Sequence, residues 1–546
     1  MKKYIYGMAI AASLFSLSSC LGDLDTQPLN ETDKSAQQAY STYEGFEKGL
    51  AYIYGSFSLV SQNDPGSSDI SVDDAGQSDL MRQFVVLNEM SADALKCVWG
   101  DSYITDTQNA TWTSTPNAAT IAVYTRGMVT VTRANEFLKQ SAGSSIEGVE
   151  KLRSEARLLR AYAYFMLMDL YGNPPFATEE NIGGDLPKQL GRKALCEWIE
   201  SELKELVADD NLADASAAVY PRVSKGLAQA LLARLYLNSE VYTGTARWTE
   251  ARDAAQAVIS MGAYSLCPNY QQLFMQDNSE NANARKEFVF AIAYDAEHTQ
   301  TWGGTTHLVS GSMGDDAAQA VAEGLGYSTG SMISRERWNG YHVPDQYVAY
   351  FDLQDVSWGK KDAFGYNRET SDKRAMLTNY GNTQEWDKSS ADTGWRCWKF
   401  SSRASDGSLR STDAYTKFSS ADFPVIRLAE MYLIYAEAQA RLDGGQTTNA
   451  TAMGYVKQLR DRAGVDMPSS LSLDFLLEEN AREFMWEGHR RVDLIRYGYF
   501  TSMSFPWPYK NGVPNGKSAI PSYRTIYPIL TTDLAENPNL SQNPGY

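Results

Sequence analysis

Residues 149–171, VEKLRSEARLLRAYAYFMLMDLY, constrain the fold of this 546-residue chain more than any other stretch. Leu152, Ala156, Leu159, Ala163, Leu167 and Leu170 recur at three- and four-residue steps. That spacing puts an apolar stripe along one face of a helix of about six turns. Gly172 stands at the C-cap position, and Pro174-Pro175 prevent continuation. A stripe of that length needs helical partners of matching length. Residues 195–207 supply the nearest, and three further pairs can be traced: 223–242 with 248–260, 423–442 with 451–464, and 44–60 with 118–139.

Ala228, Ala230, Ala233, Ala436 and Ala438 sit where small side chains let antiparallel helices approach closely. Pairs of this length and spacing look like tetratricopeptide-type hairpins, although the strict repeat signature is absent. Between the second and third pairs, about 265–420, the composition changes. Gly, Ser, Asp, Asn, Trp and Tyr dominate, broken by short apolar runs such as EFVFAIAY. The expected fold is therefore mostly α: about four helical hairpins, with a large irregular, loop-rich insertion carrying short strands. Function concentrates in loops of that kind.

The N-terminus has the parts of an export signal. Lys2 and Lys3 precede a mostly apolar run, and Leu17-Ser18-Ser19-Cys20 reads as a lipobox whose cysteine is acylated and becomes the mature N-terminus. Residues 1–19 are then a signal peptide and 20–35 a polar, lipid-anchored tether. No later segment has eighteen unbroken apolar residues. With Lys2 and Lys3 removed, 49 basic residues become 47 against 67 acidic ones, a net charge of −20 that leaves no basic footprint for nucleic acid. Cys97, Cys196, Cys267 and Cys397 lack metal or redox spacing. They read as buried small hydrophobes, with one adventitious disulfide left open. His298, His307, His342 and His489 are not paired at metal spacing, and no GxSxG, HExxH or P-loop occurs. Glu483, Glu487, Arg490, Arg491, Asp493 and Arg496 fall at helical spacings where opposite charges meet. That pattern reads as a salt-bridge network fixing the last helix rather than as an acid–base pair.

Motifs from end to end carry a more specific signal. They are the lipobox with Asp23-Leu24-Asp25, LRAYAYFMLMDLYGNPP (159–175), KGLAQALLARLYLNSEVYTG, RLAEMYLIYAEAQAR, VKQLRDRAGV, ENAREFMWEGHRRVDLIRYG (479–498) and the tail YPIL…NPNLSQNPGY. In this order the chain resembles the RagB/SusD family of outer-membrane nutrient-uptake lipoproteins. The resemblance divides the mature chain into an N-terminal helical region, 36–264, and a second region, 265–546, with the loop-rich glycan face and C-terminal helices. It implies a non-enzymatic, surface-exposed binding protein anchored to the outer membrane. Such a protein captures oligosaccharide and sits as a lid over a TonB-dependent barrel transporter of the SusC type. A surface glycoside hydrolase and capture of a non-glycan cargo such as peptide are the competing readings.

Sugars offer axial hydrogens on a ring face and hydroxyls on the rim, and the 33 Tyr and 12 Trp of this chain are suited to such ligands. The family's starch-binding founder uses an arc of aromatics flanked by polar residues. Carried over by motif, the resemblance implies Trp99, Trp302 and Trp338 for stacking, with Tyr341 as a further aromatic candidate and Asp74 and Arg82 on the rim. Trp302 replaces a tyrosine of the family pattern, and Ser102 stands where the founder has an amide, so one rim contact is expected to weaken. Trp395 and Trp398 alternate around Cys397 in strand-like fashion and read as structural. No resident cofactor is expected. The run 277–283, DNSENAN, is a weak calcium candidate through Asp277 and Asn281, because it lacks the loop glycine and the spaced glutamate, and the resemblance puts Ser279 in place of an aspartate.

Overall fold

The computed structural model describes residues 36–312, 314–324, 337–351, 370–380, 394–409, 417–507, 510 and 520–546. The expected signal peptide, Cys20 and the tether lie outside them. Long helices form the frame: Tyr43–Gly55, Ala118–Gln140, Val149–Tyr171, Arg192–Ala208, Lys225–Leu237, Trp248–Ser260, Leu428–Leu442 and Ala450–Ala463. Consecutive helices pack side by side, and the Trp248–Ser260 helix packs directly on Leu428–Leu442, so the long insertion leaves the helical stack without interrupting it. The core is continuous across residue 264. No helix among the described residues is long and apolar enough to cross a membrane.

Local chemistry explains the helix ends. Asn117 and Thr120 form a reciprocal capping box, Ser224 and Asn449 accept from first-turn N–H groups, and Gly172 ends Val149–Tyr171 at φ +72°. Ala228, Ala230, Ala233, Ala436 and Ala438 are all fully buried at helix contacts, as their size requires. The 118–140 helix packs chiefly on Val149–Tyr171 as well as on Tyr43–Gly55, its expected partner.

Two sequence expectations need correction. Residues 423–427 are a strand rather than the first turn of the 423–442 helix. Pro424 cannot donate to a helix, β-branched Val425 and Ile426 favour extension, and the segment pairs antiparallel with Phe288–Ile292. The closing 479–498 segment is two helices, Leu473–Phe484 and Arg490–Arg496. Trp486 at φ +63° and Gly488 at φ +83° reverse the chain between them, Trp486 Nε1 donates to Ala94 O at 2.9 Å, and the Gly488 and His489 amides donate to Glu89. The four described cysteines are buried free thiols, in keeping with their reading as small buried hydrophobes.

The turn at 486–488 sends Glu487 inward, and the expected ion-pair network is tertiary rather than confined to one helix. Arg427, at the end of its strand, donates to Glu287 (2.7 Å), Glu483 (3.0 Å) and Glu487 (2.7 Å). Glu483 also pairs with Arg374 (3.2 Å) and Arg462, and Lys399 pairs with Glu487 at 2.6 Å. Arg490 clamps Asp93, and Arg496 clamps Glu437 and Asp493. Burial alone would raise the Glu483 carboxyl, but Arg462, Arg427 and Arg374 reverse this and hold it far below the usual carboxylate range. These buried charges weld the insertion strand, the third hairpin and the C-terminal helices together.

Candidate functional site

Asp79 organises the loops above this frame. Its side chain is buried, and burial raises its carboxyl. Oδ1 accepts from Arg82 N (2.8 Å), at the start of the Leu80–Val85 helix, and from Gly304 N (2.9 Å), at the start of the Gly304–Ser312 helix. Oδ2 accepts from the Thr301 hydroxyl at 2.9 Å. Two segments more than 200 residues apart in sequence are thus joined around Trp302, which Phe418 backs at 4.6 Å between ring centroids.

Trp99 follows the short strand Lys96–Cys97, which pairs antiparallel with Tyr341–His342. The other strand's approach is anchored on the Gly304–Ser312 helix, since Trp338 N donates to Ser310 O (2.7 Å) and Gly340 N to Gly311 O (2.9 Å). Trp99 lies against Gly340 so closely that a Cβ there would fall 2.1 Å from its Nε1. Its indole N–H donates to Trp338 O at 3.3 Å.

The three tryptophans form one arc with Trp338 in the middle. Trp99 and Trp338 have centroids 6.2 Å apart and planes inclined at 67°; Trp302 and Trp338 are 6.1 Å apart and inclined at 50°. The arc opens on a cleft of about 410 Å³ lined by Asp74, Gln77, Arg82, Trp99, Trp302 and Trp338. Each tryptophan is half-buried, its exposed part on the cleft. Arg82 is buried with its guanidinium 5.7 Å from the Trp338 ring and donates to the Tyr103 hydroxyl at 3.3 Å. Gly76 is required by crowding: a Cβ there would meet Trp302 Cβ at 2.8 Å, Arg82 Nη1 at 2.9 Å and Asp74 Oδ1 at 3.2 Å.

Of the residues singled out from sequence, Trp99, Trp302, Trp338, Asp74 and Arg82 meet at this cleft. Tyr341 does not line it. Pairing of its strand with Lys96–Cys97 turns it inward, where it is fully buried behind Trp99 (5.0 Å) and against His307 and Trp486. Trp395 and Trp398 are core residues. Ser102 is exposed outside the lining, and a cleft amide comes instead from Gln77. Gln77 lies three residues after Asp74 in the same motif, a spacing that puts the two on one side of a helical turn and could have flagged it.

Burial and the nearby Arg82 charge hold His307 well below the ordinary histidine range. Among the described residues no three His, Cys, Asp or Glu side chains gather as a metal site. Both Asp277 carboxylate oxygens accept from Ser405, and Asn281 Oδ1 caps the next helix by accepting from Asn283 N and Ala284 N. A second groove, also of about 410 Å³, runs between the Tyr43–Gly55 helix and the Phe288–Ile292 strand, lined by Leu50, Tyr54, Phe57, Phe290 and Ile292 without a tryptophan.

Residues 66–237 match the family described as "Starch-binding associating with outer membrane", and 357–546 match the "SusD family". The chain is 32% identical to starch-binding protein SusD of Bacteroides thetaiotaomicron, across 100% of its own length and 99% of that protein's. It is 24% identical to SusD-like protein P25 of Formosa agariphila over 72% of this chain and 73% of that one. Among solved structures, a SusD homologue from B. thetaiotaomicron superposes with a TM-score of 0.69 at 18% identity, covering 95% of this chain and all of the other. Surface glycan-binding protein A from the same organism, solved with laminarihexaose, gives 0.66 at 19% identity over 92% and 99% of the two chains. Full-length identity at that level, on the same helical frame, makes this chain a member of the SusD/RagB family.

Proposed function

We propose that this protein is a surface glycan-binding lipoprotein. Its tryptophan cleft captures an oligosaccharide, an α-glucan first, for delivery to a TonB-dependent barrel of the SusC type. The observation that carries the reading is the arc itself: three tryptophan faces and a polar rim on one cleft, in a chain aligned from end to end with a starch-binding protein. The axial hydrogens of a pyranose displace water from an indole face, and rim groups take up its hydroxyls. Ring planes inclined at 67° and 50° make a bent surface. A helical α-glucan presents its sugars at successive tilts that follow such a bend, whereas a flat β-linked chain suits coplanar rings.

The described lining supports binding rather than turnover. Glycosidic hydrolysis needs a pair of carboxyl groups flanking the bond, and Asp74 is the sole acid among the six lining residues. Calorimetry with maltoheptaose, laminarihexaose and a fructan tests the reading. Heat of binding is expected with maltoheptaose and no new reducing ends with any of them. Binding only to laminarihexaose would keep the cleft and overturn the α-glucan assignment, and release of reducing ends would favour the hydrolase. Lipid anchoring through Cys20 and pairing with a barrel are tested by Cys20→Ala, expected to abolish lipid labelling, and by co-purification in mild detergent. Glycan uptake that persists without this protein would refute delivery.

A further inference from the structure

We infer that Gln77, held in place by Asp101, is a specificity-determining acceptor in the cleft, and that the cleft takes neutral rather than acidic glycans. The inference rests on the glycan reading above. Gln77 Nε2 donates to Asp101 Oδ1 at 3.1 Å. A carboxylate accepts and cannot donate, so the amide must turn its NH2 toward Asp101, which fixes an orientation that is otherwise ambiguous. The Oε1 atom is left free, and among the described residues no protein group donates to it. The backbone is pinned as well: Gln77 N donates to Asp74 Oδ1 (3.0 Å), and Gln77 O accepts from Gln83 Nε2 (3.0 Å). Gln77 therefore lines the cleft as an oriented carbonyl acceptor.

The rim then reads as two acceptors, Gln77 Oε1 and the Asp74 carboxylate, beside one cationic donor, Arg82. Sugar hydroxyls donate to such acceptors and accept from the arginine. A uronate or sulfate instead meets Asp74 in the lining and Asp101 directly behind Gln77, with Arg82 the one arginine among the described lining residues to offset them. At the effective dielectric of a protein surface, like charges a few ångströms apart repel strongly enough to exclude the anion.

A double-mutant cycle with maltoheptaose, read by calorimetry, tests the pairing. Gln77→Ala is expected to weaken binding about two- to tenfold, the value of one hydrogen bond to a neutral group. Asp101→Asn is expected to do the same, because its new amide can donate to Gln77 Oε1 and let the Gln77 NH2 face the cleft. Asp101 makes no side-chain cap bond to the Ser102–Gln108 helix, so the substitution spares that helix. The double variant is expected to be no weaker than Gln77→Ala alone. Effects that multiply would overturn the positioning role. An unchanged Gln77→Ala beside a Trp302→Ala that no longer binds would overturn the Gln77 role and leave the glycan reading standing. Retained binding by Trp302→Ala would instead strike at that reading. In the charge arm, oligogalacturonate is expected not to bind at low or physiological salt, and binding as tight as maltoheptaose would overturn the neutral assignment.

Discussion

Asp79→Ala separates the fold from the site most sharply, because Asp79 touches no ligand surface yet ties together both sides of the cleft. The substitution deprives two buried N–H groups, Arg82 N and Gly304 N, of their acceptor. Thr301 loses one partner too, but its hydroxyl still accepts from Gly303 N. Each stranded N–H costs about 1–3 kcal/mol. Release of a buried carboxylate, whose desolvation already raises its pKa, offsets part of that. A net loss of about 2–4 kcal/mol is expected, a large fraction of the roughly 5–15 kcal/mol that holds a domain folded. With the 301–304 loop loosened, maltoheptaose should bind about tenfold more weakly or worse, since 1.4 kcal/mol of misplaced stacking suffices for that. Asp79→Asn is the control. Its Oδ1 keeps both N–H bonds, and Nδ2 faces a threonine hydroxyl that can accept as readily as it donates, so stability and affinity should stay close to wild type. Guanidinium unfolding and calorimetry read the two effects. An alanine variant with wild-type unfolding and wild-type affinity would show that Asp79 does not hold Trp302 in place.

The other predictions concern packing and charge. Gly340→Ala should displace the Trp99 ring, because its Cβ would fall 2.1 Å from Trp99 Nε1; a loss of maltoheptaose affinity with only about 1–3 kcal/mol of destabilisation is expected, and unchanged affinity would contradict it. Glu483→Gln should cost about 3–5 kcal/mol, since Arg374, Arg427 and Arg462 would lose a shared buried counter-charge, and a Tm within a degree of wild type would refute the network's role. Burial raises Glu479, but Arg374, Arg482 and Arg460 bring it down to about 2, below its unfolded value near 4.3. Its contribution is therefore full above about pH 5 and is lost as pH falls through about 2. Tm should decline steadily over that window, and a flat profile would contradict it.

The helical frame was legible because it is written in local periodicity: the stripe from Leu152 to Leu170 and the small residues at Ala228 and Ala436 predict both the helices and their contacts. The break at 486–488 was not, because Trp486 carries a positive φ imposed by tertiary bonds to Ala94 and Glu89, which no local pattern announces. Arg427 looked like a helical residue because the helix Leu428–Leu442 follows at once, and only pairing with Phe288–Ile292 reveals the strand. At the cleft, aromatic type and motif placed the tryptophans, but sequence could not fix which aromatic faces outward. Tyr341 turns inward by strand register, and Gln77 takes the rim through a hydrogen bond to a residue 24 positions away.

The most direct test of the central claim is a calorimetric titration of maltoheptaose into the wild-type protein and into Trp302→Ala. Trp302 lies at one end of the arc, packed against Phe418 and inclined to Trp338, and its removal should cost about 1–3 kcal/mol. Wild type should therefore bind measurably, and the variant should be weaker by about tenfold to more than a hundredfold while unfolding at a similar denaturant concentration. Equal binding by the two proteins would mean that the cleft is not where this chain meets its glycan.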